Sequence, residues 1–220
     1  MRRSKPTAAG AVSAVLLAAL VGCGSEDTGA GGGGSLSVDR LVTLAEEVGK
    51  DGSETCPLPY DAGKATEAAK VEEAVEPGAA GAEAGEPVAT AEGGRTTDPG
   101  SPWSGKPGAL VTCSYHVGGD DLEVHTAGTE AGKSVFVLAP VMQQAGGMSI
   151  DELKPYTEKA AKAKPGQPVQ SEGGTVVTVP LDPGGTGDVT LVLTVGDSGK
   201  SSLKPEQVLE LARTFAAQAK

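Results

Sequence analysis

A stretch of 34 residues in the middle of the chain limits what the rest can fold into. From Glu76 to Ala109 it reads EPGAAGAEAGEPVATAEGGRTTDPGSPWSGKPGA, with 13 Gly or Pro residues and Trp103 as its one bulky side chain. Such a run buries too little apolar surface to offset the entropy lost on ordering it, so a disordered insertion is expected at 76–109. A second run, GSEDTGAGGGGS from Gly24 to Ser35, reads as a flexible tether. Its root-mean-square reach is roughly 20 Å for a Gly-rich coil. What remains suits a single domain over residues 36–220, interrupted by the insertion. The chain holds 33 Gly and 15 Pro against two Phe, one Trp and three Tyr, so its core must be built mainly from Val, Leu and Ala.

The N-terminus carries the most specific information. Arg2, Arg3 and Lys5 precede an apolar run from Ala8 to Leu20, broken only by Gly10 and Ser13. That run is shorter than the ~20 residues a helix needs to cross a hydrocarbon core. A positive start, a short apolar stretch and small residues at its end describe a signal peptide, expected at 1–22. Arg2-Arg3 is not followed by the apolar pair of a twin-arginine signal, which favours the general secretory route. Leu20-Val21-Gly22-Cys23 resembles the lipobox of bacterial lipoproteins. The resemblance implies cleavage before Cys23 and a diacylglycerol on its sulfur. Two or three acyl chains, at about 0.8 kcal/mol per buried methylene, make a stable anchor on the outer face of the cell membrane.

Loss of Arg2, Arg3 and Lys5 would take the formal net charge from −11 to −14. That balance repels nucleic acid and anionic headgroups, so nucleic-acid binding is not expected and solubility is the plain reading. With Cys23 committed to lipid, Cys56 and Cys113 remain, and an even pair in an exported domain points to a disulfide. On chain-entropy grounds it would contribute about 4 kcal/mol. Neither Cys has a CxxC partner or a His pair at metal-ligand spacing, against a catalytic thiol or a metal site.

Apolar spacing at Val38, Leu41, Val42, Ala45 and Val48 predicts a helix capped by Ser37. Asp61 would cap a second, Ala-rich helix ending near Val75. Alternation over Leu110–Val117 and Leu122–His125 predicts a hairpin turning around Gly118-Gly119-Asp120-Asp121. Val135, Phe136, Val137 and Leu138 in succession suggest a central strand over Ser134–Ala139, covered on both faces. Ser149 and Glu152 have capping-box spacing for a helix to about Lys162. Strands at Thr175–Val179 and Val189–Val195 and a helix from Pro205 complete the order ααβββαββα. The expected architecture is a two-layer α+β domain, an antiparallel five-stranded sheet with helices packed mainly on one face.

The hairpin offers the one constellation with the residue types of a catalytic site. With the turn centred between Gly119 and Asp120, Ser114 would face His125 and His116 would face Glu123 on the outer surface. Ser114, His125 and Glu123 then have the types of nucleophile, base and orienter. The same patch, with Asp120 or Asp121, offers zinc His116 and His125. A flat strand face supplies neither oxyanion donors nor a cleft, so neither chemistry is expected. Asp182-Pro183-Gly184-Gly185-Thr186-Gly187-Asp188 has two carboxylates but lacks the alternating ligands of a calcium loop. Gly-rich phosphate signatures are missing as well, so no cofactor or metal is expected.

The layout resembles small lipoproteins of high-GC Gram-positive, actinobacterial type. Cys23, Cys56, Val111-Thr112-Cys113-Ser114-Tyr115 and a final helix over Pro205–Lys220 carry that likeness; the absence of Asn and the single Ile150 fit GC-rich codon usage. The resemblance brings no activity with it. Three functions are weighed: a non-enzymatic, lipid-anchored domain for an envelope protein or small ligand, a carrier of an apolar ligand held between sheet and helices, and an envelope hydrolase using Ser114, His125 and Glu123.

Overall fold

A computed structural model of the chain describes residues 35–48, 52–77, 89–93 and 108–220. The expected signal peptide, Cys23, the tether to residue 34 and Trp103 lie outside the described residues. Helix α1 spans Val38–Val48 and buries Val38, Leu41, Leu44, Ala45 and Val48, the spacing of one helical face. Helix α2 covers Ala62–Ala68, and the Asp61 carboxylate accepts from the Lys64 N–H at its start. It stops short of Val75 because Lys70 adopts a left-handed backbone conformation, φ 55°, that turns the chain aside.

Among the described residues seven strands follow in two groups. Strand β1 is Val75–Pro77, β2 Ala89–Gly93, β3 Gly108–Val117 and β4 Asp120–Thr129. After the helices between them come β5 Val169–Gln170, β6 Val176–Leu181 and β7 Asp188–Val195. The order across the sheet is β1-β3-β4-β7-β6-β5, with every neighbour antiparallel. Strand β2 pairs with Ala109–Cys113 of β3, while β1 pairs with Tyr115–Val117. The two short strands thus share one edge of β3, giving six positions across the sheet where five were expected. Part of the segment expected to be disordered therefore belongs to the sheet.

The segment Ser134–Ala139 is not a strand. It forms helix α3, Ser134–Val137, and runs into α4, Ala139–Gly146. Val135, Leu138 and Met142 are buried, whereas Phe136 is 51% exposed, so the apolar run has a helical inner face. Helix α5, Ile150–Ala161, begins with the expected capping box, Ser149 and Glu152 exchanging hydrogen bonds. Helix α6 spans Pro205–Gln218, with Val208, Leu211, Ala212, Phe215 and Ala216 inward.

Helices cover both faces of the sheet, not mainly one. Helices α1, α2 and α6 pack on the face carrying Val111, Val124, Leu191, Leu193 and Val179. On the other face Val135, Leu138, Met142, Tyr156 and Ala160 of α3–α5 meet Ala127, Val176 and Val192. Threonine conceals this second face in the sequence. Thr129, Thr178, Thr190 and Thr194 are buried on it, and several of their hydroxyls are satisfied by side chains rather than water. Thr190 meets Ser134 at 2.7 Å, and Thr178 meets the Tyr156 hydroxyl at 2.9 Å.

Candidate functional site

The β3–β4 hairpin turns through Gly118-Gly119, with Val117 paired to Asp120. Gly118 has φ +61°, the positive value that a tight hairpin turn needs at its first central residue. The cross-strand pairs are Thr112 with His125, Ser114 with Glu123 and His116 with Asp121. Ser114 therefore does not face His125, nor His116 Glu123. The register is displaced by two residues, which keeps every side chain on its expected face and changes every partner.

On that face Thr112 Oγ1 lies 2.9 Å from His125 Nδ1, and His125 Nε2 lies 3.2 Å from Glu123 Oε2. The imidazole is 5% exposed and Thr112 8%. The His125–Glu123 approach has ion-pair distance without good N–H alignment. The His125 contact leads in holding the Glu123 carboxyl below its usual range, against partial burial and with help from the Thr194 hydroxyl. His116 Nδ1 stands 3.9 Å from Asp121 Oδ1. Asp120, beside the turn, accepts through Oδ2 from the Ser201 and Ser202 hydroxyls and the Ser202 N–H.

Chemically, Thr112, His125 and Glu123 form a chain of hydroxyl, imidazole and carboxylate that differs from the expected set by its first member. Thr112 sits mid-strand between Thr90 and His125, so ladders occupy both edges of β3 there. That position offers no pair of open backbone N–H groups to hold an oxyanion. No hydrogen bond joins Ser114 to His125 among the described residues. Nor is any group of three or more His, Cys, Asp or Glu there placed to hold a metal ion. In the DPGGTGD loop the two carboxylates serve turns. Asp182 accepts from the Gly184 N–H, and Asp188 accepts from Thr129 and from both the N–H and hydroxyl of Ser134.

Cys56 and Cys113 are joined as a disulfide, with Cα atoms 5.3 Å apart and a separation of 57 in sequence. Cys113 is fully buried on the α1/α2/α6 face, so the bond ties the segment before α2 to the middle of β3. Nearby, Phe215 packs edge-on to Tyr60 at 5.4 Å and stacked with Tyr115 at 6.1 Å. Desolvation drives the Tyr115 hydroxyl up to about 12.

Sequence reasoning missed a cleft of ≈ 490 Å³ between the α4–α5 junction and the β5–β6 turn. Met148, Asp151, Tyr156, Lys159, Gln170 and Glu172 are among its walls. Two of these are held rigidly. The Tyr156 hydroxyl donates to the Val169 carbonyl, and the Gln170 amide donates to the Gly174 and Pro205 carbonyls. Glu152 is engaged at the Ser149 cap, which leaves Asp151 and Glu172 beside Lys159 as the cleft's other charged groups. Gly146, Gly147 and Gly173 line its rim, and a side chain added at Gly173 would meet nothing within 4 Å. Compared with protein-family models, curated proteins and solved structures, the chain matches none.

Proposed function

We propose that the chain is a lipid-anchored cell-envelope protein whose domain binds a small polar ligand without transforming it. Export through the signal at 1–22, diacylation of Cys23 and the tether to Ser35 would set the domain on the outer face of the membrane, as its resemblance to actinobacterial lipoproteins implies. The observation that carries the binding reading is the cleft beside α5. Its ≈ 490 Å³ falls in the range of small-molecule sites. Its Tyr156 and Gln170 are fixed in place, so little ordering is needed on binding. Opposed charges at Lys159 and at Asp151 with Glu172 suit a ligand carrying both signs.

Catalysis is less favoured, because His125 is engaged by Thr112 and Glu123 and Ser114 stands apart from it. An apolar cargo between sheet and helices is less favoured too. The side chains facing that space, Leu191, Leu193, Met142 and Val192 among them, are packed to 0% exposure.

The experiment is a thermal-stability screen against amino acids, short peptides and sugars. Ligand at about a hundred times Kd should add ~2.7 kcal/mol, a rise of several degrees in Tm. Lys159→Glu and Glu172→Lys should each abolish the rise while leaving the unliganded Tm nearly unchanged. If no class moves Tm, or the variants respond like the wild type, the cleft is not the site. For the anchor, intact mass of membrane-extracted protein should show loss of residues 1–22 and acyl chains added to Cys23. Cys23→Ala should remove them.

A further inference from the structure

Strand β5 is the last in the sheet order, and among the described residues no strand pairs with its outer side. Its backbone is nonetheless anchored. The Gly166 N–H donates to the Pro180 carbonyl and the Ser171 N–H to the Val176 carbonyl, so the chain follows β6 on both sides of the strand. The Tyr156 hydroxyl holds the Val169 carbonyl, and the Gln170 side chain is fixed to the Gly174 and Pro205 carbonyls. Along an antiparallel ladder, successive residues turn their N–H and carbonyl alternately to one side and the other. With Ser171 bonded to β6 and Gln170 opposite Val177, the N–H and carbonyl of Gln170 face the open side.

This edge runs beside α5. The cleft of ≈ 490 Å³ has Asp151, Pro155 and Lys159 on its helix wall and Gln170 and Glu172 on its strand wall. A second, more open hollow of ≈ 580 Å³ shares Pro155 and Lys159 and continues past Lys162 to Gln167 and Pro168. The two make one trough, with a helix along one side and an unpaired strand along the other. Its charge is graded. Where β5 ends, Asp151, Glu172 and the cap residue Glu152 stand against Lys159. Where β5 begins, Lys159 and Lys162 stand against Glu158.

We infer that the trough takes an extended peptide, added antiparallel to β5, with basic residues at its N-terminal end. The inference rests on the binding reading above and names the class of ligand. A strand edge beside a helix recognises the main chain through hydrogen bonds and alternate side chains through the adjoining hollow. Antiparallel addition continues the pairing found throughout the sheet. It brings the start of the peptide to the end of the trough where three carboxylates outnumber one lysine. The peptide residue opposite Gln170 exchanges both backbone bonds with it. Its two neighbours turn toward α5, because Val169 faces that core while the Gln170 side chain reaches Pro205 at the start of α6. The anchoring of β5 means that the edge is ordered before the peptide arrives. A second copy of the chain is a poorer occupant. Strand β5 is two residues long and follows Pro168, which has no N–H, and short strands and proline are what keep sheet edges from pairing with one another.

The probe is the hexapeptide Lys-Lys-Thr-Val-Thr-Val, labelled at its C-terminal end and titrated against the full chain by fluorescence anisotropy. Moving the Lys pair to the other end should abolish binding, and D151N/E172Q should weaken the original peptide about fivefold. Methylating the peptide amides one at a time tests the backbone pairing. Alternate positions, whose N–H groups meet the edge, should lose binding, and the positions between them should keep it. The Gln170 amide should exchange about tenfold more slowly in the complex, read by NMR. Equal binding of both peptide orders, or methylation effects without alternation, overturns the inference. So does a Gln170 amide whose protection rises with protein concentration alone, which would give the edge to a second copy. Failure of the binding reading is separate. An amino acid or sugar whose Tm rise is abolished by Lys159→Glu and Glu172→Lys, with no peptide bound, keeps the cleft and removes the peptide. No response to any of them removes both.

Discussion

Asp120 secures the turn end of β4 to the chain leading into α6. Burial by itself would raise its carboxyl. The hydrogen bonds from Ser202 and Ser201 and from the Ser202 and Leu203 N–H groups outweigh that and hold it below the usual range. Asp120→Ala leaves the half-buried Ser201 hydroxyl and the exposed hydroxyl and N–H of Ser202 without their acceptor, for an expected loss of about 1 kcal/mol at neutral pH by urea unfolding. A depressed folded pKa gives stability that is complete above the unfolded value near ~3.9 and is lost as pH falls through the folded one. The gap between wild type and variant should therefore narrow below about pH 4 and be flat above pH 6. A gap that stayed constant down to pH 2 would mean the carboxylate charge is not what the serines hold. At this scale the sequence was legible by face and not by partner. The alternation of Ser114, His116, Glu123 and His125 fixed which side they occupy. Their opposite numbers depended on whether the turn used Gly118-Gly119 or the next pair, which alternation does not encode.

At the scale of elements, the helix ends and the buried run Val135–Leu138 show what local signals can decide. The Ser149–Glu152 box and Pro205 marked helix starts because capping chemistry is local. Four consecutive apolar residues satisfy strand and helix alike, and only the continuation of the stripe to Met142 separates them. Helix α4 ends on Gly147, whose φ of +59° and near contact with the Ser198 carbonyl leave no room for a side chain. Gly147→Ala should cost about 1–2 kcal/mol, the left-handed penalty for a residue with Cβ, read as a lowered urea midpoint at unchanged m-value. Between elements, the Cys56–Cys113 bond was legible once the lipobox resemblance set Cys23 aside and left an even pair. Reducing it should cost about 4 kcal/mol, less any strain relieved, in unfolding measured with and without reductant. Strands β1, β2 and β5 were not legible, because two to five residues rich in Ala, Glu and Gln carry no period of their own. Their pairing comes from the edges they meet.

At the scale of the whole molecule, one sheet serves two cores. Strand β7 is buried from Val189 to Val195, with Val189, Leu191, Leu193 and Val195 toward α6 and Thr190, Val192 and Thr194 toward α3–α5. A Val/Thr alternation reads as one apolar and one wet face, which is why the second helical layer was not foreseen. Sharing β4, β6 and β7 also means neither layer can leave without stripping a face of the sheet that the other depends on. Met142 tests this, since it is fully buried in the α3–α5 core and touches Thr178 on β6. Met142→Ala should cost about 2–5 kcal/mol through lost burial and the cavity left behind. If the cores unfold as one unit, amide protection should fall by the same free energy in α6 and β7 as in α5. Phe215→Ala, at the centre of the opposite core, should lower α5 protection equally. Loss confined to the layer that carries the substitution would instead divide the domain into two units, with the α3–α5 layer free to open above the sheet.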